Sequence, residues 1–251
     1  MIRAQRQNEI ANYLTANGFA SISDLGKKFN VSEMTIRRDL DDLEKRGLFQ
    51  RTYGGALASE TAFFEMAYRA KSQLFNEEKE RIGKAASELV SNGETVILDS
   101  GSTTTQIARF LKDSQINVIT TALNIATELA NSESINLLVA GGMLRKATLG
   151  LVGPQTDYFF KSIRADKLFM GVEGVDTFGG FTVPDLINAQ TKKNMAASAR
   201  QIIVVADHSK MGRNTLSNIL PLEGAQLLIT GKEANPDLIE QIRHYLPVQL
   251  V

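Results

Sequence analysis

Apolar residues recur at three- and four-residue spacing in three successive segments near the start of the chain. This spacing puts them on one face of a helix, so it predicts helices over 3–17, 22–30 and 33–46. Ser21 stands three residues before Asp24, the spacing of a helix-capping box, and Ser32 can cap the third helix. The apolar positions are, in chain order, Ile10, Tyr13, Leu14, Leu25, Phe29, Ile36, Leu40 and Leu43.

A strand and turn follow the third helix. Residues 48–53 read as a strand closed by Gly54 and Gly55, with Ala56 and Leu57 returning beside it. Three short helices followed by a hairpin are typical of a winged helix-turn-helix domain.

The inward-facing apolar residues of the third helix leave a polar surface on its first turns. That surface holds Glu33, Thr35, Arg37 and Arg38. These positions reach base edges and phosphates when a recognition helix enters the major groove by its N-terminus. The alternative is an ordinary solvated helix face, because residues 1–57 hold nine Lys or Arg and seven Asp or Glu, a net charge of only +2.

The rest of the chain alternates between short apolar runs and helical segments. The apolar runs suit central strands covered on both faces. They lie at 95–99, 116–120, 135–139, 167–170, 201–205 and 226–229. Helices are predicted after 76 and at 102–112, 122–131, 154–161, 185–199 and 234–245. The alternation predicts an open, largely parallel sheet with helices on both faces, a Rossmann-like α/β body.

Polar residues and glycines follow the ends of these strands, where sheets of this class bind ligands. The segment 99–104 ends a strand and opens a helix, offering hydroxyls and free backbone N–H groups to an anion. An ordinary Gly-Ser-Thr loop is the alternative for that segment alone. Further strand ends carry Thr121, Gly141, Gly142, Arg145, Asp207, Ser209 and Lys210.

Global composition narrows the class of protein. The chain has 251 residues, no cysteine and a formal net charge of zero, so neither a disulfide framework nor a thiolate metal site is possible. No apolar run approaches the ~18 residues needed to span a bilayer, and the start of the chain lacks an apolar signal region. We therefore expect a cytoplasmic protein. Its DNA affinity should be confined to the N-terminal helix-turn-helix region and should require two copies of that region.

Several motifs follow one another along nearly the whole chain. They are Thr35-Ile36-Arg37-Arg38-Asp39-Leu40, Arg51-Thr52-Tyr53-Gly54-Gly55-Ala56, Asp99-Ser100-Gly101-Ser102-Thr103-Thr104, Gly141-Gly142, Gly171-Val172-Glu173-Gly174-Val175-Asp176 and Asp207-His208-Ser209-Lys210-Met211-Gly212-Arg213. Together these motifs resemble the DeoR family of bacterial sugar-responsive transcription regulators. The resemblance implies domains at 1–57 and 77–251 with a junction over 58–76. It also implies a body like that of ribose-5-phosphate isomerase.

The resemblance further implies a repressor of a carbohydrate-utilisation operon, controlled by a phosphorylated sugar or related metabolite. Its partners would be double-stranded operator DNA and further copies of itself, as a homodimer or homotetramer, with no cofactor, metal or catalytic residue. The DNA-binding residues expected are Ser32, Thr35, Arg37, Arg38, Arg51 and Tyr53. The effector-binding residues expected are Asp99, Ser100, Gly101, Ser102, Thr103, Thr104, Thr121, Gly141, Gly142, Arg145, Lys192 and Lys210.

Departures from the family pattern bear on the effector. This chain has Thr120-Thr121-Ala122 where many members have Thr-Asn-Ser, and it has Asn188 and Gln190 where acidic residues are common. Replacing a carboxylate by an amide changes which ligand is favoured, so no particular relative's effector can be inherited.

The alternative function is an enzyme, an aldose–ketose isomerase or sugar-phosphate hydrolase on the same fold. Such chemistry needs a positioned base. Asp99 or Glu173 could supply that base, and Lys210 could polarise a carbonyl group. The two histidines, His208 and His244, lack the spacing of a metal or nucleophile site. We therefore expect a regulator rather than an enzyme.

Overall fold

The chain divides into two units, Met1–Phe75 and Asn76–Val251, which we call the head and the body. The structure is a computed structural model that describes residues 2–17, 19–45, 50–52, 55–57 and 68–251. Most of the sequence-predicted junction over 58–76 lies outside these residues, so its limits stay a prediction.

The head is built from helices and a small sheet. Its helices are α1 (Arg3–Asn17), α2 (Ile22–Phe29), α3 (Glu33–Lys45) and α4 (Tyr68–Gln73). Its strands are β1 (Phe19–Ser21), β2 (Gln50–Thr52) and β3 (Gly55–Leu57), which pair antiparallel in the order β1-β3-β2. The three predicted helices and the returning strand are confirmed. Strand β1 and helix α4 were not predicted, and residues 48, 49, 53 and 54 of the predicted hairpin lie outside the described residues.

The predicted apolar faces form the core of the head. Ile10, Leu14, Leu25, Ile36, Leu40 and Leu43 are all buried there. Ser21 caps α2 by accepting a hydrogen bond of 3.0 Å from the N–H of Asp24. Asn30 ends that helix in the left-handed conformation at φ 51, which asparagine tolerates better than most residues.

The body contains a parallel seven-stranded sheet. Its strands, in chain order, are β4 (Thr95–Leu98), β5 (Ile116–Thr120), β6 (Ile135–Val139), β9 (Ala165–Gly171), β12 (Ala199–Val205), β14 (Leu227–Thr230) and β15 (Val248–Leu250). The order across the sheet is β15-β14-β12-β9-β4-β5-β6. Six of these strands were predicted, whereas β15 is a three-residue edge strand with too little apolar pattern to stand out.

Helices cover both faces of the sheet. They are α5 (Asn76–Ser87), α6 (Ser102–Leu111), α7 (Leu123–Leu129), α8 (Pro154–Lys161), α9 (Leu186–Ser198) and α10 (Pro236–Arg243). Successive strand residues alternate between two apolar cores, as the pleat requires. Val96 and Leu98 pack with α5, α6 and α7, while Ile97 packs in the core that contains residues of α8, α9 and α10. The three-layer α/β prediction is confirmed.

Shorter strands lie outside the main sheet. A hairpin joins β7 (Met143–Arg145) to β8 (Gly150–Val152), and a small antiparallel sheet contains β10 (Gly174–Asp176), β11 (Gly180–Val183) and β13 (Ser217–Leu220). None of these strands was predicted. Across the described ranges, every helix is too short or too polar to cross a membrane.

Candidate DNA interface and effector site

Helix α3 presents its first turns to solvent. The hydroxyl of Ser32 accepts the N–H of Thr35 at 3.3 Å and lies 3.0 Å from the Thr35 hydroxyl, so these two side chains cap the helix. Arg37 and Arg38 are exposed, and Thr35 is partly buried. Arg37 lies 4.0 Å from Glu33 with both side chains about half exposed, a contact worth little in water.

The opposite side of α3 is fixed to α1 through a buried carboxylate. Asp39 is 1% exposed. Its Oδ2 accepts from Arg6 at 2.6 Å, and its Oδ1 accepts from Gln7 at 3.1 Å and lies 3.5 Å from Arg3. Arg3 and Gln7 also bind Asp42. Asp39 and Asp42 of α3 are therefore occupied by side chains of α1. Sequence reasoning missed this network, because its partners are more than thirty positions apart.

Two further predicted DNA-binding residues, Arg51 and Tyr53, belong to the hairpin predicted from the sequence. The backbone of Arg51 belongs to β2, where it pairs with Ala56. Tyr53 lies outside the described residues. Their roles stay predictions.

Parallel strands end at a common edge of the sheet, and most of the predicted effector residues follow such ends. We call this edge the carboxyl rim. Gly101 precedes α6, and its carbonyl accepts the hydroxyls of Thr104 at 3.1 Å and Thr105 at 2.6 Å. These two hydroxyls are used within the helix. Ser102 is partly buried and Thr103 is buried in the same first turn.

A buried ion pair joins three elements at the rim. Lys192 on α9 binds Oδ2 of Asp99 and donates at 3.0 Å to the carbonyl of Gly171, the last residue of β9. The N–H of Gly171 donates to the same Asp99 oxygen at 3.0 Å. Asp99 is 1% and Lys192 2% exposed. Oδ1 of Asp99 is buried and has no hydrogen-bond partner in the described part of the chain, a costly arrangement unless something else satisfies it.

The β7–β8 hairpin lies against the loop after β4. A Cβ on Gly150 would come within 2.4 Å of the Ser100 hydroxyl, so the two backbones can approach only with glycine there. The carbonyl of Thr121 accepts the N–H of Leu151 at 2.9 Å, which places Thr121 beside the same hairpin. Thr148 in the hairpin turn is buried, and its hydroxyl has no partner among the described residues.

The remaining hairpin-side residues contact other helices. Gly141 accepts from Thr156 of α8 at 2.6 Å. Gly142 has φ +154, and a Cβ there would lie 2.1 Å from the Thr156 hydroxyl, so only glycine fits. Arg145 lies 3.9 Å from Asp185, the residue that caps α9. These three predicted residues therefore line the α8 and α9 side of the rim.

A second charged cluster lies after β12. Lys210 binds Glu173 at 2.7 Å, and Asp207 lies 3.8 Å from Lys79. Burial alone would raise the pKa of Asp207, but Lys79, Lys210 and the hydrogen bonds of Ser209 outweigh it and hold that pKa below its ordinary value. Sequence reasoning missed Lys79 and its neighbour Glu78, because two charged residues in the first turn of a helix look like a solvated face.

A recognition helix in the head and a polar rim in the body together define a DNA-binding transcription regulator with a sensing domain. Residues 6–62 match the DeoR-like helix-turn-helix domain, and residues 75–232 match the DeoR C terminal sensor domain. The chain belongs to the DeoR family of transcription regulators.

Curated relatives match along most of their length. The HTH-type transcriptional regulator GlpR of Haloferax volcanii is 35% identical over 96% of this chain and 95% of its own. The glycerol-3-phosphate regulon repressor of Escherichia coli K12 is 34% identical over 87% of each chain. These matches confirm the prediction of a transcription regulator, which was preferred to the enzyme alternative.

Solved structures cover a smaller part of the chain. Ribose 5-phosphate isomerase A from Methanocaldococcus jannaschii is 19% identical over 54% of each chain, with a TM-score of 0.40. A likeness of that size carries no weight for function, and the α/β layers are established by the sheet itself.

Proposed function

We propose that this protein represses an operon of carbohydrate metabolism and is released from operator DNA by a phosphorylated sugar or related metabolite. It would act in the cytoplasm as a homodimer or homotetramer, because paired half-sites on DNA require paired recognition helices. The name of one relative, a glycerol-3-phosphate regulon repressor, supports an effector of this chemical class.

The unpartnered oxygen of Asp99 is the observation that carries the effector proposal. A buried carboxylate oxygen without a donor suits a sugar hydroxyl, which can supply one. The N-terminus of α6 begins three residues later, and its first N–H groups with Ser102 and Thr103 suit a phosphate. Lys192 fixes the carboxylate, and Lys210 would add a positive charge to the rim.

For DNA, we assign the reading surface to the first turns of α3. Arg37 and Arg38 would contact guanine edges or phosphates, and Thr35 a base or phosphate. Ser32 caps the helix. Arg51 and Tyr53, in the predicted hairpin, would contact the DNA backbone.

The release mechanism requires two arrangements of the oligomer. The effector must bind the DNA-incompetent arrangement more tightly than the DNA-competent one, since equal affinity for both would shift nothing.

Thermal unfolding against a panel of sugar phosphates and their unphosphorylated parents tests the effector class. A tight ligand should stabilise the protein by about 2.7 kcal/mol at a hundredfold excess over its dissociation constant. The same compound should reduce retention of operator DNA. Stabilisation only by unphosphorylated sugars would contradict the phosphate assignment. Conversion of a compound to its isomer would instead support the alternative function, an isomerase.

Ser102→Asp locates the site. The new carboxylate should repel a phosphate at the α6 N-terminus, so operator binding persists while the effector response disappears. Ser91→Asp is the matched control, because Ser91 is exposed and precedes the amino end of β4, at the edge of the sheet opposite the carboxyl rim. An unchanged effector response in Ser102→Asp would remove this helix from the site.

A further inference from the structure

The first turn of α5 is joined to the turn after β12 by two consecutive charged residues. Glu78 accepts the backbone N–H of His208 at 2.6 Å through Oε1, and its Oε2 lies 2.7 Å from the His208 ring Nδ1. The next residue, Lys79, pairs with Asp207. Glu78 and Lys79 are only 4% and 3% exposed. Charges buried so deeply are rare unless they are paired, so these contacts hold α5 to the turn.

Charged groups from several elements cluster around the turn that carries His208. They are Glu78, Lys79 and Arg81 on α5, Asp207 and Lys210 in its own turn, Glu173 after β9 and Glu233 after β14. Those acting directly on the His208 ring are Glu78, Asp207 and Glu233. Arg81 binds Glu233, while Glu78 binds His208. The hydrogen bond to Glu78 outweighs burial and raises the pKa of His208. Glu78 is also confined by backbone, because a Cβ on Gly231 would lie 2.2 Å from its Oε1.

The same helix begins where the chain leaves the head. The head ends at Phe75 and α5 starts at Asn76. Phe75 has φ 51, a left-handed conformation that is uncommon for a residue with a Cβ and is concentrated at switch regions. Glu78 lies three residues after Phe75. It therefore fixes the start of α5 close to the strained backbone position at the boundary of the head.

The turn held by Glu78 also carries Lys210. Residues 208–210 form one 3-10 turn, and the N–H of Lys210 donates to the carbonyl of Asp207 at 3.1 Å. Because the turn is only three residues long, a displacement of Lys210 moves His208 with it.

We propose that Glu78 is a positioning residue that links the effector rim to operator affinity. It acts through His208, holding the Lys210 turn and the start of α5 in the arrangement that binds DNA. This inference rests on the proposed role of Lys210 at the effector rim and adds the route by which that rim reaches the head.

The test compares Glu78→Gln with Glu77→Gln in the full-length protein. Glu77 is the adjacent residue, exposed, and loses the same charge from the same turn. Glu78→Gln should lower operator affinity by about fivefold or more, in the range of allosteric coupling, while Glu77→Gln stays within about twofold of wild type. Affinity is measured per folded molecule, so a loss of stability alone would not produce the effect. Equal affinities in Glu78→Gln, Glu77→Gln and wild type would overturn the proposal.

His208→Gln provides the second variant, and by itself it should also lower operator affinity by about fivefold or more. This single variant decides the matter if Glu78→Gln does not fold, and wild-type affinity in it would overturn the proposal. The variant keeps the backbone N–H that Glu78 accepts and removes the ring. The double variant should bind operator within about twofold of either single variant, because both remove one shared interaction. Additive losses would overturn the link through His208.

Inorganic phosphate, compared with potassium chloride at matched ionic strength, separates this inference from the proposed function. Phosphate should weaken operator binding by wild type and Glu77→Gln but not by Glu78→Gln. If phosphate neither stabilises wild type nor changes its operator binding, the proposed phosphate site at the rim is contradicted. The comparison without phosphate still decides the role of Glu78.

Discussion

Two aspartates, one in the head and one in the body, are equally buried and differ in how they are satisfied. Asp39 and Asp99 are each 1% exposed. Both oxygens of Asp39 accept hydrogen bonds from α1, whereas Asp99 has one oxygen bound by Lys192 and Gly171 and one with no partner among the described residues. A fully partnered buried carboxylate fixes two helices. A half-partnered one is a candidate for binding something else.

The largest effect should come from removing the partner of Asp99. Lys192→Met fills a similar volume but leaves a buried carboxylate without its cation, so the free energy of unfolding should fall by about 3–5 kcal/mol. Denaturant unfolding measures the change, with Lys193→Met as the adjacent control because Lys193 is exposed. A loss no greater than that of the control would show that Asp99 does not depend on Lys192.

Asp39→Asn should produce a smaller loss. The amide keeps the shape but cannot accept from Arg6 as a charged partner, and Arg6 reaches solvent at 11% exposure. We expect about 1.5–3 kcal/mol, the worth of hydrogen bonds to a charged group. Asp42→Asn is the control, since Asp42 is 32% exposed and should cost under about 1 kcal/mol. Equal losses from the two variants would show that the buried Asp39 contributes no more to stability than Asp42.

Arg37→Ala should separate arginines that read DNA from arginines that hold the fold. Stability should change by less than about 0.5 kcal/mol, because the side chain is exposed. Operator binding should weaken by about 1–3 kcal/mol with relaxed selectivity at one base pair if the contact is bidentate to guanine. A uniform loss on all sequences would make it a phosphate contact instead. Lys45→Ala, at the far end of the same helix, is the control.

A third buried carboxylate, Glu78, is fully partnered like Asp39, but by a group that titrates. The pKa of His208 is raised above its ordinary value of about 6.5. Its stabilising contribution is therefore fully present below that value and is lost as pH rises through the folded-state pKa. The difference in melting midpoint between wild type and His208→Gln should narrow with rising pH. A constant difference would mean that the ring contributes only through contacts that do not depend on its charge.

Local pattern predicted the elements whose signal is local. Apolar spacing in α3 and the continuous apolar run of β12 are set within a few residues, and both elements were found. The three-residue strands β1 and β15 carry too few residues for a pattern, and they form because a neighbouring strand offers them hydrogen bonds.

The candidate site was predictable in its position more than in its contacts. Strand ends indicated the carboxyl rim, and 99–104 lies there. The pairing of Asp99 with Lys192 spans 93 positions, and that of Glu78 with His208 spans 130. No local signal indicates that these residues are partners, so only the folded chain identifies the pairings.

The pairing of Arg3 and Arg6 with Asp39 and Asp42 also bears on how operator binding responds to salt. Side chains that stay paired with carboxylates of the same domain do not neutralise DNA phosphates, so they displace no counterions from the DNA. The slope of log affinity against log salt should therefore count only cations other than Arg3 and Arg6, at about −0.9 per phosphate neutralised. The fewer phosphates the head neutralises, the more its affinity depends on base recognition, and its preference for the correct site should then increase as ionic strength rises.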